Sequence, residues 1–212
     1  MRTEFDPDVL HGLVQETIRW REETEPRPDL AHTYEYLLDA VDARYPGRLQ
    51  WPEKWLFDRS AGFLQAIAIL YCSPSEYMLI TGSPVPTGGG SGPFRGELFD
   101  WVIDGEIFSF QPGQLDRHPT RPGQCDHLAR GQMKGAAITD HYWAFEYGRG
   151  SIISMWPSTL FGALLTDCDL LDLGEMVGVA FRDQIRNFLK VKNKPHDWAK
   201  LLANPQHEHF HG

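Results

Sequence analysis

Hydrophobic positions recur every three or four residues at the start of the chain and every second residue through its middle. Leu10, Leu13, Val14 and Ile18 share one helical face behind Asp6-Pro7, an N-cap followed by proline at the first helical position. The Glu- and Pro-rich stretch from Glu22 to Pro28 interrupts this pattern. Asp29 then caps a second helix carrying Leu30, Tyr34, Leu37, Leu38, Val41 and Tyr45, which Pro46-Gly47 ends. Both helices read as lids or packing elements. From about residue 62 the period shortens to two. Phe63 to Tyr71 is apolar almost throughout, as in a strand covered on both faces. Ser73-Pro-Ser-Glu76 supplies a turn, and a strand resumes from Tyr77 to Thr81. Gly82 to Pro93 reads as a flexible loop; it lacks the Lys-Ser/Thr ending of a phosphate-binding loop and the last position of a nucleophile elbow.

Glu97 to Ile103, Asp104-Gly105 and Glu106 to Phe110 together read as a β-hairpin. A Pro-containing stretch follows from Gln111 to Gly123. Ala136 to Thr139, a turn at Asp140-His141, and Tyr142 to Gly148 predict two more strands. After Pro157 the helical period returns, with Leu160, Leu164 and Leu171 on one amphipathic face and Val177, Phe181, Ile185, Phe188 and Leu189 on a second. The pattern predicts one mainly β domain with flanking helices. Residues 1–50 form a helical lid, 51–156 a β-barrel or curled sheet, 157–195 two C-terminal helices packed on the domain, and 196–212 a tail. The tail sequence His207-Glu-His-Phe-His211 reads as a disordered end, not as a metal site.

Composition narrows the function classes. With 20 Lys and Arg against 29 Asp and Glu, the net charge is −9, and no basic run forms a nucleic-acid patch. Three cysteines (Cys72, Cys125 and Cys168) at wide spacing form neither a disulfide framework nor a zinc knuckle, which suits a reducing compartment. The N-terminus has no apolar signal region, and no stretch reaches the ~18 apolar residues of a membrane span. These features predict a cytoplasmic protein, soluble or loosely membrane-associated.

Two acidic residues break the strand pattern. Asp100 lies within Glu97-Leu-Phe-Asp-Trp-Val-Ile103, and Glu146 within Trp143-Ala-Phe-Glu-Tyr-Gly-Arg-Gly150. Alternation sets Leu98, Asp100 and Val102 on one face, and Tyr142, Ala144 and Glu146 on one face of the later strand. A carboxylate among apolar neighbours must be paired, hydrogen-bonded or protonated. Two sharing one apolar site titrate as a pair and can give and take a proton. The plainer possibility is that each is a rim residue or is neutralised by a neighbour such as Arg149.

The same residues extend into a resemblance. Phe5-Asp-Pro7, Ser73-Pro-Ser-Glu-Tyr77 with Leu79 and Gly82, Ser91-Gly92, Pro122-Gly123, His127-Leu128 with Gly131, Glu146-Tyr-Gly-Arg-Gly150 and Pro157-Ser-Thr-Leu160 are similar, in order and spacing, to the fungal Δ8-to-Δ7 sterol isomerases and their relative the sigma-1 receptor. The resemblance implies a cupin-like β-barrel enclosing a hydrophobic cavity in which Glu146 and Asp100 lie side by side. In that family the matching Glu pairs with the ammonium group of amine ligands, and the Asp hydrogen-bonds to it. The resemblance also implies pocket positions at Tyr77, Phe63, Ile67, Ile69, Leu79, Leu98, Thr159, Leu160 and Ala163, and a trimeric assembly. Three departures stand out. The family's N-terminal membrane helix is absent, Gly90 replaces the His of its Gly-His-Ser/Thr-Gly loop, and extra residues including Met155 and Trp156 precede Pro157 beside the cavity mouth.

These readings predict an acid–base enzyme that protonates an alkene of a sterol- or terpenoid-like substrate and shifts its double bond. Glu146 and Asp100 are the catalytic pair, and the rings of Tyr77, Trp143 or Tyr147 stabilise the carbocation. Neither a cofactor nor a metal is called for. Two alternatives stay open: a proton-initiated terpenoid cyclase using the same pair, and a receptor-like binder of cationic amphiphilic amines without turnover. A two-carboxylate glycosidase is the weaker option, because sugar sites want more polar hydrogen-bonders than these strands supply.

Overall fold

Each of the two N-terminal helices begins on an aspartate. The computed structural model describes residues 3–50 and 55–151, with Gly178 and Leu202 beyond them. Helix α1 spans Pro7–Glu23, and its cap Asp6 accepts from the Asp8 amide at 3.0 Å; α2 spans Leu30–Arg44, and its cap Asp29 accepts from the His32 amide at 2.9 Å. These bonds satisfy donors that the first helical turn leaves unpaired. Leu10, Val14, Tyr34, Leu37, Leu38 and Val41 are buried in one cluster with Leu70, Met78, Ile80, Trp101, Phe145 and Tyr147 of the strands. The helices therefore cover one face of a sheet.

Ten strands follow: β1 (Leu56–Asp58), β2 (Gln65–Cys72), β3 (Glu76–Ser83), β4 (Thr87–Ser91), β5 (Gly96–Gly105), β6 (Ile107–Phe110), β7 (His118–Thr120), β8 (Cys125–Leu128), β9 (Lys134–Ile138) and β10 (Tyr142–Gly150). They form a six-stranded sheet, β1-β2-β3-β10-β5-β8, and a four-stranded sheet, β4-β9-β6-β7. All recorded pairings are antiparallel. The expected barrel is not closed, since each sheet keeps two edge strands. From β3 onward every connection except β6–β7 passes from one sheet to the other.

This crossing overturns the hairpin expected around Asp104-Gly105. β5 pairs with β10 and β8, whereas β6 pairs with β9 and β7. Gly105 has φ +75°, and a Cβ there would lie 2.2 Å from the His141 carbonyl oxygen. Two corners, Gly105 and the Asp140-His141 turn, thus lie against each other where the chain leaves and re-enters the larger sheet. The Gly-rich segment read as a loop contains strand β4. Its glycines permit close approach: a Cβ on Gly89 would sit 2.3 Å from the Ala61 carbonyl oxygen. The C-terminal helices and tail expected over 157–212, and the pocket positions Trp156, Thr159, Leu160 and Ala163, lie outside the described residues.

Candidate active site

The two sheets face each other across a cavity of about 180 Å³, whose lining includes Phe63, Tyr77, Leu98, Asp100, Lys134 and Glu146. Strand alternation delivers the acidic pair. Glu146 on β10 stands directly opposite Asp100 on β5, and Asp100 stands opposite Asp126 on β8. Three acidic residues therefore form one row across three adjacent strands, on the face turned from the helices. Like charges directly opposite one another in a sheet repel, so this row must be neutralised in place.

Two groups do so. Tyr77 OH donates to Glu146 Oε1. From the facing sheet, the buried Lys134 places its ammonium nitrogen 3.4 Å from Asp100 Oδ2 and 2.8 Å from Asp126 Oδ2. Asp100 and Glu146 stand directly opposite each other, so that a proton on either carboxyl lets the two hydrogen-bond. Asp100 Oδ1 is buried and has no hydrogen-bond donor among the described residues.

Burial raises the Glu146 pKa well above the carboxylate range, and the charge of Asp100 raises it further. Burial also raises Asp100, but the Lys134 charge and the hydrogen bond from Glu146 oppose that shift. The proton of the pair accordingly belongs on Glu146. Burial works against the Lys134 ammonium, yet the charges of Asp100 and Asp126 outweigh it and hold its pKa above the usual lysine value. Tyr77 is pushed far up by burial and by Glu146, so it stays a donor. The site thus offers a carboxylic acid, a carboxylate and a phenol to whatever enters the cavity.

Other sequence-derived positions divide by strand face. Phe63, Tyr77 and Leu98 line the cavity; Ile67, Ile69 and Leu79 share that side in a neighbouring cluster with Leu56 and Cys72. Trp143 and Tyr147 are not brought to the cavity. They pack on the opposite face, where Trp143 meets Trp55 edge-on and Tyr147 OH lies 2.6 Å from Glu76 Oε1. Arg149 pairs with Glu97 at 2.7 Å, leaving the acidic pair to Lys134. Gly90 lies on the cavity wall, and the nearest atom to a Cβ there would be the Lys134 carbonyl oxygen at 3.7 Å.

The cavity is also more polar than the strands suggested, with Asp58, Gln65, Thr81 and Ser91 on its wall. Sequence reasoning missed Lys134 and Asp126. The one local signal was period two: Lys134, Ala136 and Ile138 are buried alternately along β9. Among the described residues no group of three or more His, Cys, Asp or Glu is placed to hold a metal ion, and no helix is long and apolar enough to cross a membrane.

The chain is similar in sequence to several named proteins. The C-8 sterol isomerase erg2 of Aspergillus fumigatus is 29% identical over 192 residues, covering 89% of this chain and 77% of that protein. The protein erg2 homolog of Dictyostelium discoideum is 28% identical over 186 residues, covering 88% and 76%. Sigma non-opioid intracellular receptor 1 of Danio rerio is 33% identical over 123 residues, covering 57% and 54%. Among solved structures, the cupin domain of Schizosaccharomyces pombe Cnp3 aligns with 44% of this chain and 69% of its own, at 9% identity and a TM-score of 0.37. The pattern of the family described as ERG2 and Sigma1 receptor like protein matches residues 2–192. Because that match takes in both helices, both sheets and the facing carboxyls, the chain belongs to the ERG2 and Sigma1 receptor like protein family.

Proposed function

We propose that this protein is an acid–base isomerase that moves a double bond within a hydrophobic, sterol- or terpenoid-like substrate. The observation that carries this reading is the pair of buried carboxyls, Glu146 and Asp100, facing each other on adjacent strands at the wall of a cavity between the sheets. Glu146 gives its proton to one alkene carbon; the π bond breaks, a C–H bond forms and the adjacent carbon becomes a cation. The Asp100–Glu146 pair, now carrying one more negative charge, stabilises that cation and takes a proton from the neighbouring carbon on its far side. A new double bond forms and the pair regains its proton. Hydrogen is conserved and no oxidant is needed. The name C-8 sterol isomerase, carried by relatives that match most of the chain, supports this choice.

The test is turnover of a Δ8 sterol in heavy water. One deuterium should appear in the product at the carbon that gained the proton, and Glu146→Gln and Asp100→Asn should each slow turnover by ~10² or more. Product without solvent deuterium, or wild-type rates in both variants, would refute the mechanism. A second reading, binding without turnover, draws on the sigma receptor relatives. It predicts that the protein retains amines but leaves the sterol unchanged.

A further inference from the structure

Lys134 comes from the sheet opposite the acidic row, and its position assigns it a task. A lysine ammonium has three hydrogens to donate. Three oxygens surround it: Asp126 Oδ2, an ion pair at 2.8 Å, and two hydrogen-bond acceptors, Asp100 Oδ2 at 3.4 Å and the Asp126 carbonyl oxygen at 3.4 Å. Its charge is therefore committed to two carboxyls of the protein. Burial sharpens the effect, because a charge taken from water is tolerated only when it is paired. The row Asp126, Asp100 and Glu146 holds three carboxyls against one ammonium. With Lys134 between the first two, Glu146 is the carboxyl left without a cation.

We propose that Lys134 decides which member of the acidic pair is the acid: it keeps Asp100 as the carboxylate and so leaves the proton on Glu146. It acts as a positioning residue, through Asp100 and without touching substrate. The catalytic consequence rests on the isomerase reading above; the consequence for protonation does not. The other titratable groups around the pair are Asp58 and Tyr77 on β1 and β3, Tyr142 on β10, and Asp126 and Cys125 on β8, Cys125 facing the helix side. Neither Tyr142 nor Cys125 supplies a charge, since burial raises both, Cys125 to about 12. Asp58 adds only negative charge to the site. Among these groups Lys134 is the sole cation.

The test follows the carboxyls themselves. Carboxyl-13C NMR of protein labelled at Asp and Glu, with Asp100→Asn and Glu146→Gln for assignment, reads the protonation of the pair with no substrate present. Lys134→Met should move the Asp100 titration up by about 1–3 pH units, the usual effect of an opposite charge at this range. Lys134→Arg should return it toward wild type. Asp126→Asn should move it down, because the ammonium then serves Asp100 alone. Wild-type titration of the pair in folded Lys134→Met would overturn the proposal. If that variant fails to fold, an unmoved titration in Asp126→Asn overturns it instead. In turnover, the acid limb of the pH–rate profile should move with Asp100 in each variant. Shifted titrations in the variants, together with a wild-type protein that turns over no sterol, would uphold Lys134's role and sink the isomerase reading alone.

Discussion

Gly148→Ala tests how the site is packed. Gly148 is paired with Tyr77 on β3 and Leu98 on β5, and the Tyr77 ring lies over it. A Cβ at residue 148 would stand 2.2 Å from Tyr77 Cε1 and 2.6 Å from Cζ. Carbon atoms in contact sit at ~3.5 Å or more, so the ring must retreat by about 1.3 Å. The phenol oxygen moves with Cζ, and a displacement of that size stretches its bond to Glu146 past the working range. Overpacking of this kind costs about 1–3 kcal/mol. The lost hydrogen bond adds about 1 kcal/mol. Gly148→Ala should therefore destabilise the protein by about 2–4 kcal/mol in urea denaturation. Tyr77→Ala removes the ring that the new methyl strikes, so in that background the same change should cost less than about 1 kcal/mol. An equal cost in both backgrounds would refute the packing argument. The chemistry should respond as well. The Tyr77 hydrogen bond draws the Glu146 pKa down, so its loss should move Glu146 deprotonation, and the alkaline limb of any pH–rate profile, to higher pH.

Three further outcomes are expected. Glu146 has a folded-state pKa raised above its unfolded value, so the native state loses stability as pH rises from the ordinary carboxylate range through the folded value. Glu146→Gln removes this loss, and its stability relative to wild type should grow with pH across that window; a pH-independent difference in urea midpoints would contradict the shift. Arg21 is buried and donates to Asp104 Oδ1 at 2.8 Å and the Ile103 carbonyl at 3.2 Å, beside the corner where β5 leaves its sheet. Arg21→Met should cost about 2 kcal/mol, and thermal melts unchanged from wild type would remove that corner from the stabilising contacts. A hydrophobic tertiary amine should raise the melting temperature more than its neutral isostere does. Its ammonium needs an ionised Glu146, so calorimetry in buffers of different ionisation enthalpy should show about one proton released on binding. Binding with no proton release would place the charge partner elsewhere.

Several features follow from residues near one another in the chain. Asp6 and Asp29 cap the helices because a short acceptor before a helix-forming run meets free amides within three residues. Period two places Asp100 with Leu98 and Val102, and Glu146 with Tyr142 and Ala144, whichever strands lie beside them. The apolar faces of α1 and α2 require a partner surface, so their burial was legible, although the sheet they cover was not. Trp143 and Tyr147, expected beside the carbocation, lie on the opposite strand face from Glu146, as the alternation itself requires.

What the tertiary structure decided lies in the pairings. Asp104-Gly105 carries the residues of a hairpin turn, but β5 and β6 separate there, because β10 and β8 take the hydrogen bonds that a hairpin would have used. A dipeptide cannot express that competition between distant strands. Nor can it reveal that glycines read as a loop form an edge strand pressed on Ala61. The acidic pair was legible because each residue violated its own strand's apolar pattern. Lys134 and Asp126 were not, since their meaning depends on two sheets closing over one cavity, bringing Lys134 to Asp100 from 34 residues away. Strand faces are a local consequence of the pleat, whereas the cation that sets the proton's place is a consequence of long-range burial, where an unpaired charge costs most.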